Sequence, residues 1–345
     1  MSKIAKSPKK VARAAYKIAK STLPQYAHRF SPKKFTQPQL FTCLVLKIFF
    51  KTDYRGIVAI LTDSSDLCKC FSLETVPHYT TLQKASRRLL CSSVAEKLLM
   101  STIRHVLNNN KVKLAAVDST GLDSSYTSRY FVRRRRSKRY NLWEDTIYRR
   151  WPKLAVVCDC KNHLILSAIM TRGPSVDINQ FCKTVKPAAE RVTIKHLLAD
   201  AVYDSESNHR YAREVCQIKT TIPPKHGRPT TKLPKTKYRR LMRTKFDKKT
   251  YGQRWQVETV FSMIKRNFGS ALRAKRYWSQ CREMMLLVLT HNIAIIQLVK
   301  ELFYRACLTP LILPIFTKIK RTIDYEFNTV FYYSSYCFNK LFCFF

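Results

Sequence analysis

The sequence predicts a mixed α/β domain preceded by a helical N-terminal region, and three observations carry that prediction. Two short apolar runs, Lys113–Asp118 and Lys195–Asp200, each end in a carboxylate. Two more, Lys153–Cys158 and His163–Met170, flank the polar tetrad Asp159-Cys160-Lys161-Asn162, as the arms of a hairpin flank its turn. Two long stretches with helical periodicity, about Asp247–Phe268 and Cys281–Phe303, then close the domain. Short strands interleaved with helices make a mixed sheet with an antiparallel portion.

Taken in order, residues 1–30 are rich in Lys and Arg and read as a flexible basic arm suited to phosphate contacts. Residues 31–112 are expected to form a helical DNA-binding region. Helices are predicted at Thr36–Phe50 and Tyr54–Leu61, then a polar turn at Thr62–Asp66 and a basic helix at His78–Leu90. Lys84, Arg87 and Arg88 lie on that last helix, and the order helix, turn, basic helix suits a helix-turn-helix reader of DNA. Residues 113–303 form the α/β domain. Within it Asp177–Arg191 is expected as a helix with Asp177 as N-cap, Ser205–Val215 as a helix, and Gln217–Ile222 as a strand. Residues 225–249 hold Pro229, Pro234 and a dense basic run, the pattern of a surface loop or arm. Residues 304–345 show no clear period and read as an atypical tail.

Charge narrows the function class. Among 345 residues, 64 Lys and Arg face 22 Asp and Glu, a formal +42. A fold this basic repels itself unless a polyanion neutralises it, so double-stranded DNA is the expected partner. The first twenty residues lack the apolar segment of a signal peptide. Polar residues Thr290, His291, Asn292 and Gln297 interrupt the longest apolar stretch, so a buried helix is expected there and no membrane partner. The twelve cysteines include no C-x-x-C pair, which removes the usual zinc spacings. His163, His196 and His209 have no spacing that suggests a metal triad.

In a chain with so few acids, carboxylates at strand ends are candidate metal ligands. Breaking or joining a phosphodiester with no covalent enzyme intermediate calls for two divalent ions about 4 Å apart, held by hard oxygen donors. Asp118 and Asp200 end their strands, although each could equally cap the loop that follows. At about 100° per residue, Tyr251, Arg254, Glu258 and Lys265 share a helical arc of about 60°, beside an apolar stripe of Val257, Val260, Phe261, Ile264 and Phe268. An ordinary i,i+4 ion pair explains Arg254 and Glu258 but not the other two.

The spacing Y-x2-R-x3-E-x6-K over Tyr251–Lys265 resembles the signature of bacterial and archaeal insertion-sequence transposases with a ribonuclease H-like DDE domain. The resemblance extends to VDSTGL around Asp118, to LADAVYDS around Asp200, with Val202 where the family usually has Gly, and to VPHYTTLQKASRRL, and covers roughly residues 30–303. It implies a ribonuclease H-like catalytic domain in which Asp118, Asp200 and Glu258 hold two Mg²⁺ ions, with Mn²⁺ as the substitute. It further implies that Tyr251, Arg254 and Lys265 touch DNA phosphates near a transposon end. Asp204 competes with Asp200; Asp200 is preferred because it terminates the strand, whereas Asp204 can cap the next helix. The four consecutive arginines Arg133, Arg134, Arg135 and Arg136 follow the first carboxylate and are expected to grip DNA. The implied function is cleavage and strand transfer at the terminal inverted repeats of an insertion sequence, by a homodimer in the synaptic complex, at the nucleoid in a prokaryotic cytoplasm. Two other readings keep the fold: an inactive or co-opted copy that only binds DNA, and a nuclease acting on RNA or branched DNA.

Overall fold

The computed structural model describes residues 5–107, 109–124, 133–136, 143–146, 151–173, 175–224 and 233–299. Six helices come first: α1 (Pro8–Thr22), α2 (Gln37–Phe49), α3 (Tyr54–Asp63), α4 (Ser65–Lys69), α5 (Tyr79–Leu89) and α6 (Ser92–Arg104). The sequence dictates their starts. Ser7 caps α1 with Pro8 at its first position, and Thr36 and Gln39 form a reciprocal capping box at α2.

Two expectations fail here. Residues 8–22, read as part of a flexible arm, are helical, and bury Val11, Ala12, Ala15, Ile18 and Ala19 while the lysines face outward. The expected turn at Thr62–Asp66 is largely helical, because α3 runs to Asp63 and α4 begins at Ser65.

The next elements are β1 (Lys111–Gly121), β2 (Asp123–Ser124), β3 (Arg133–Arg136), β4 (Trp143–Thr146), β5 (Pro152–Asp159) and β6 (Ile165–Arg172). They are followed by α7 (Phe181–Arg191), β7 (Thr193–Ala199), α8 (Glu206–Arg210), β8 (Lys219–Thr221), α9 (Lys237–Thr244), α10 (Lys248–Tyr251), α11 (Trp255–Phe268) and β9 (Ala271–Leu272). A last helix, α12, runs Tyr277–Val299; it is long and apolar enough to cross a membrane, but 72% of its apolar window is buried within the protein.

Five strands form one sheet in the order β6-β5-β1-β7-β8. The β6, β5 and β1 neighbours are antiparallel, whereas β1, β7 and β8 run parallel. This is a ribonuclease H-like mixed sheet, flanked by helices including α7 and α11. The β5–β6 turn is closed by Asp159, whose carboxylate accepts from Lys161 N at 3.0 Å and Asn162 Nδ2 at 3.1 Å. Met1–Gln297 falls in one compact unit, which takes in both the N-terminal helices and the sheet. Ties cross the expected boundary, among them Arg191 to Glu96 at 3.1 Å and Asn292 Nδ2 to Thr102 Oγ1 at 3.0 Å. Leu298–Phe345 falls in a second unit, and the expected tail at 304–345 lies outside the described residues.

Candidate active site

The site begins with strand register. Val117 of β1 pairs with Ala199 of the parallel strand β7, so Asp118 and Asp200 are the next residues on adjacent chains, at the edge where β7 ends. Each carboxylate is oriented locally by the next backbone N–H, Ser119 N to Asp118 Oδ1 at 2.7 Å and Ala201 N to Asp200 Oδ1 at 2.8 Å. The third acid arrives from α11. Arg254 Nη2 donates to Glu258 Oε1 at 2.6 Å, and Nη1 reaches Asp118 Oδ2 at 3.4 Å. One guanidinium thus bridges carboxylates 140 positions apart, on β1 and α11.

Electrostatics reports the crowding. Burial pushes the Asp118 carboxyl up to about 6; the Ser119 N–H and Arg254 pull it down, while the charges of Asp200 and Glu258 push it further up. Burial works against the charge of Arg254, but its hydrogen bond to Glu258 and the nearby Tyr251, Glu258 and Asp200 together outweigh it and hold the guanidinium above its usual range. Burial raises Tyr251, whose ring lies 5.1 Å from that of Phe246 and whose hydroxyl feels Arg254 and Asp200.

The continuous helix expected over Asp247–Phe268 is broken. The α10 segment, capped by Asp247, ends at Tyr251, and Gly252–Arg254 tightens into a 3₁₀ turn before α11 begins. Gly252 lacks the side chain that favours helical continuation, which places the break there. Arg254 therefore reaches the carboxylates from a turn, with Tyr251 at the end of α10 just before it. Lys265 lies half-exposed two helical turns beyond Glu258.

Other expectations are relocated. Asp177 is not a helix N-cap; it opens a 3₁₀ turn and pairs with Lys153 Nζ at 2.5 Å, while Ser119 Oγ donates to it at 3.0 Å. Nor does Asp204 cap the following helix, since Ser205 does so through Asn208 N. Asp204 is instead buried against Arg239, with Nε at 2.9 Å. The basic stretch read as a loop at 225–249 contains α9, which buries Tyr238 and Met242, and the Tyr238 hydroxyl donates to Glu214 at 2.9 Å. The backbone of Arg133–Arg136 is a strand paired with β4, and the side chains of these four lie outside the described residues. Lys84, Arg87 and Arg88 are exposed on α5, with Arg88 Nε donating to Gln37 Oε1 at 3.3 Å. Val202 is 42% exposed and is not among the residues with positive φ, so a side chain is accommodated where the family usually has Gly.

The donor set suits a hard cation. Every group is a carboxylate, and a guanidinium already lies between two of them. Among the described residues no three His, Cys, Asp or Glu side chains close to the spacing of one ion.

The sequence profile of the transposase DDE domain matches residues 112–293, just over half of the chain. The chain belongs to the DDE transposase family. It is a DNA transposase, and this family generally uses divalent metal ions. Among solved structures the transposase is similar to piggyBac transposase in a synaptic complex with hairpin DNA, at 12% identity over 84% of this chain and 71% of that one, with a TM-score of 0.41. It is similar also to the Mos1 transposase of a pre-cleavage transpososome, at 12% identity over 79% of this chain and 82% of that one, with a TM-score of 0.20. No match is found among the curated proteins.

Proposed function

We propose that this transposase cuts DNA at the terminal inverted repeats of an insertion sequence and joins the freed end to target DNA. Asp118, Asp200 and Glu258 would hold two Mg²⁺ ions, or Mn²⁺ in their place. The observation that carries this reading is the bridge from Arg254 to Asp118 and Glu258, which brings acids from distant parts of the chain around one cation. When bound, the ions supply Lewis-acid activation of the phosphoryl group and a more acidic attacking water.

In the first step a water oxygen forms a bond to phosphorus, and the bond to the element's 3′ oxygen breaks, leaving a 3′ hydroxyl. In the second, that hydroxyl's oxygen bonds to a target phosphorus as the target's own P–O3′ bond breaks. Bond number is conserved in each step, so no energy-rich cofactor is required. Arg254 and Tyr251 orient the phosphodiester at the carboxylates, and Lys265 holds a phosphate further along α11. The exposed Lys84, Arg87 and Arg88 support the reading of the N-terminal helices as a DNA-binding region, with Arg133–Arg136 as a further grip. Two copies hold the two ends together, and the work takes place at the nucleoid of a prokaryotic cytoplasm.

A plasmid carrying the DNA that flanks the gene tests the proposal. The protein should nick it at the element's ends in Mg²⁺, and replacing Asp118 and Glu258 together by Ala should abolish nicking. Nicking that survives the double replacement would sink this reading.

A further inference from the structure

A second charged feature lies away from the carboxylates. A cavity of about 870 Å³ opens between α2, α3 and α5 on one side and the connection from α11 to α12 on the other. Lys47, Lys51, Arg87, Arg273, Arg276 and Arg282 line it, against two acids, Asp53 and Glu283.

Both acids are committed to the local fold. Asp53 Oδ1 accepts from Gly56 N at 2.7 Å to cap α3, and Glu283 accepts from Arg273 N at 3.2 Å and Ala274 N at 2.9 Å. Several cations are fixed by neutral acceptors, which orient a charge without cancelling it. Lys51 Nζ donates to the Arg266 carbonyl at 2.9 Å, and Arg273 donates to the Lys51 carbonyl at 2.5 Å. At the floor is Lys47, only 5% exposed. Its Nζ lies 4.9 Å over the Tyr54 ring and makes no hydrogen bond or ion pair with any described residue. Burial pushes this ammonium below the usual lysine range, and Glu283 only partly offsets that. Removing an ammonium from water without a hydrogen-bonded anion is costly. A lysine held so, in a cleft walled by further cations, is matched by an anion that enters from solvent.

We propose that this cleft binds the phosphodiester backbone of DNA, as a contact separate from the carboxylate site, with Lys47 at its floor. The inference rests on the reading of the chain as a DNA transposase and adds where a flanking stretch of duplex is held. Spacing supports it. From Glu258 to Phe268, which lines the cleft, α11 advances ten residues, about 15 Å at 1.5 Å per residue. Along one DNA strand at 3.4 Å per nucleotide, that is about four nucleotides from a phosphate positioned at Glu258. One helix thus connects the cutting site to the holding site.

The test measures binding of a fluorescein-labelled 30-base-pair duplex by anisotropy across a salt series, using the full chain. Lys47→Met keeps the side-chain volume and removes the charge. Arg276→Gln and Arg282→Gln extend the loss, and a control removes three exposed charges elsewhere with Lys97→Gln, Lys183→Gln and Lys195→Gln. At 0.15 M salt each lost phosphate contact should weaken binding about fivefold, so the triple cleft variant should lose about a hundredfold. Its log–log salt slope should become shallower by about 2.7, the control should stay within twofold to threefold, and Lys47→Arg should restore binding. Cleft variants that bind like wild type, or that lose no more than the control, overturn the proposal while wild-type nicking in Mg²⁺ leaves the transposase reading intact. Wild-type protein that neither binds nor nicks DNA overturns both. Equal loss of ATP binding, with no dependence on duplex length, would assign the cleft to a free nucleotide instead.

Discussion

Replacing Asn292 by Leu separates the scaffold from the chemistry. Asn292 is fully buried on α12, and its amide serves the edge strand β6 as a further strand would. Its Oδ1 accepts from Ile165 N at 2.9 Å, and its Nδ2 donates to the Ile165 carbonyl at 2.9 Å and to Thr102 Oγ1 at 3.0 Å. Leucine fills a similar volume but leaves the amide and carbonyl of Ile165 without these partners, in a place where water cannot replace them. Each of the two orphaned groups costs about 1–3 kcal/mol, and the added apolar burial returns about 1 kcal/mol, so the net loss should be about 1–5 kcal/mol. In a unit of this size that lowers the melting temperature by roughly 2–15 °C. Urea and thermal unfolding followed by circular dichroism would measure it. A loss below about 1 kcal/mol would refute the reasoning, since it would mean that the edge of β6 finds other partners when the amide is gone. Asn292→Asp offers a sharper variant: as a carboxylate it can still accept from Ile165 N but presents oxygen to the Ile165 carbonyl, so it should be more damaging at neutral pH than in acid.

Other outcomes follow from the same geometry. Asp118→Asn or Glu258→Gln should lower plasmid nicking at least about a hundredfold while leaving the unfolding midpoint within about 1 kcal/mol of wild type, because neither side chain is part of the core. Arg254→Gln removes the cation between the acids; Mn²⁺ binding followed by electron paramagnetic resonance should tighten severalfold without DNA, whereas nicking should fall. Acid should unfold the protein partly through its histidines. Burial lowers both His196 and His291 to about 4, so the unfolded chain binds their protons first. Their contribution is complete above the unfolded value of about 6.5 and is lost as pH falls from there toward 4, about 2 kcal/mol for each by pH 5. His291→Gln, whose amide can still donate to the His163 carbonyl, should remove about half of that dependence in urea titrations at pH 7.5 and 5.

The parts of the fold legible in the sequence are those whose cause is local. Apolar runs ending at Asp118 and Asp200 mark β1 and β7, because a strand buried on both faces carries its signal in a few consecutive residues. The turn at Asp159–Asn162 announces itself by polar residues between two such runs. Helix α1 escaped because its buried stripe is mostly alanine, outweighed by the lysines around it. Ser7 followed by Pro8, with Val11, Ala15 and Ile18 at helical spacing, is the signal that would have revealed it. The partners of Asp177 and Asp204 were illegible for a different reason. Lys153 and Arg239 lie 24 and 35 positions away from them, so only the folded sheet could choose them over the nearby helix termini. Lys47 is the extreme case: nothing in the apolar helix Gln37–Phe49 distinguishes a buried ammonium from one that reaches solvent.

Charge balance explains why a protein with 22 acids against 64 basic residues can gather several of those acids in one place. Around the end of β1 and β7 the acids are matched by cations of the chain itself: Asp177 by Lys153, Asp204 by Arg239, and Asp118 with Glu258 by Arg254. The first two pairs are well enclosed, with Lys153 12% and the Asp204 side chain 0% exposed, so exchanging their partners would strand a buried charge. The Arg254 bridge is the looser one. Glu258 is 55% exposed, and the contact to Asp118 is long at 3.4 Å. An incoming DNA phosphate offers Arg254 two oxygens in the planar arrangement its fork fits best. The move that grips the substrate would then also release the two carboxylates for divalent ions. If so, metal affinity must rise when DNA binds, and by linkage DNA affinity must rise by the same factor when metal is present. In Arg254→Gln the coupling should disappear, because there is no guanidinium left to change partners. Measuring Mn²⁺ affinity with and without a non-cleavable phosphorothioate duplex, in wild type and in that variant, decides it: equal coupling in both would show that Arg254 does not link the two sites.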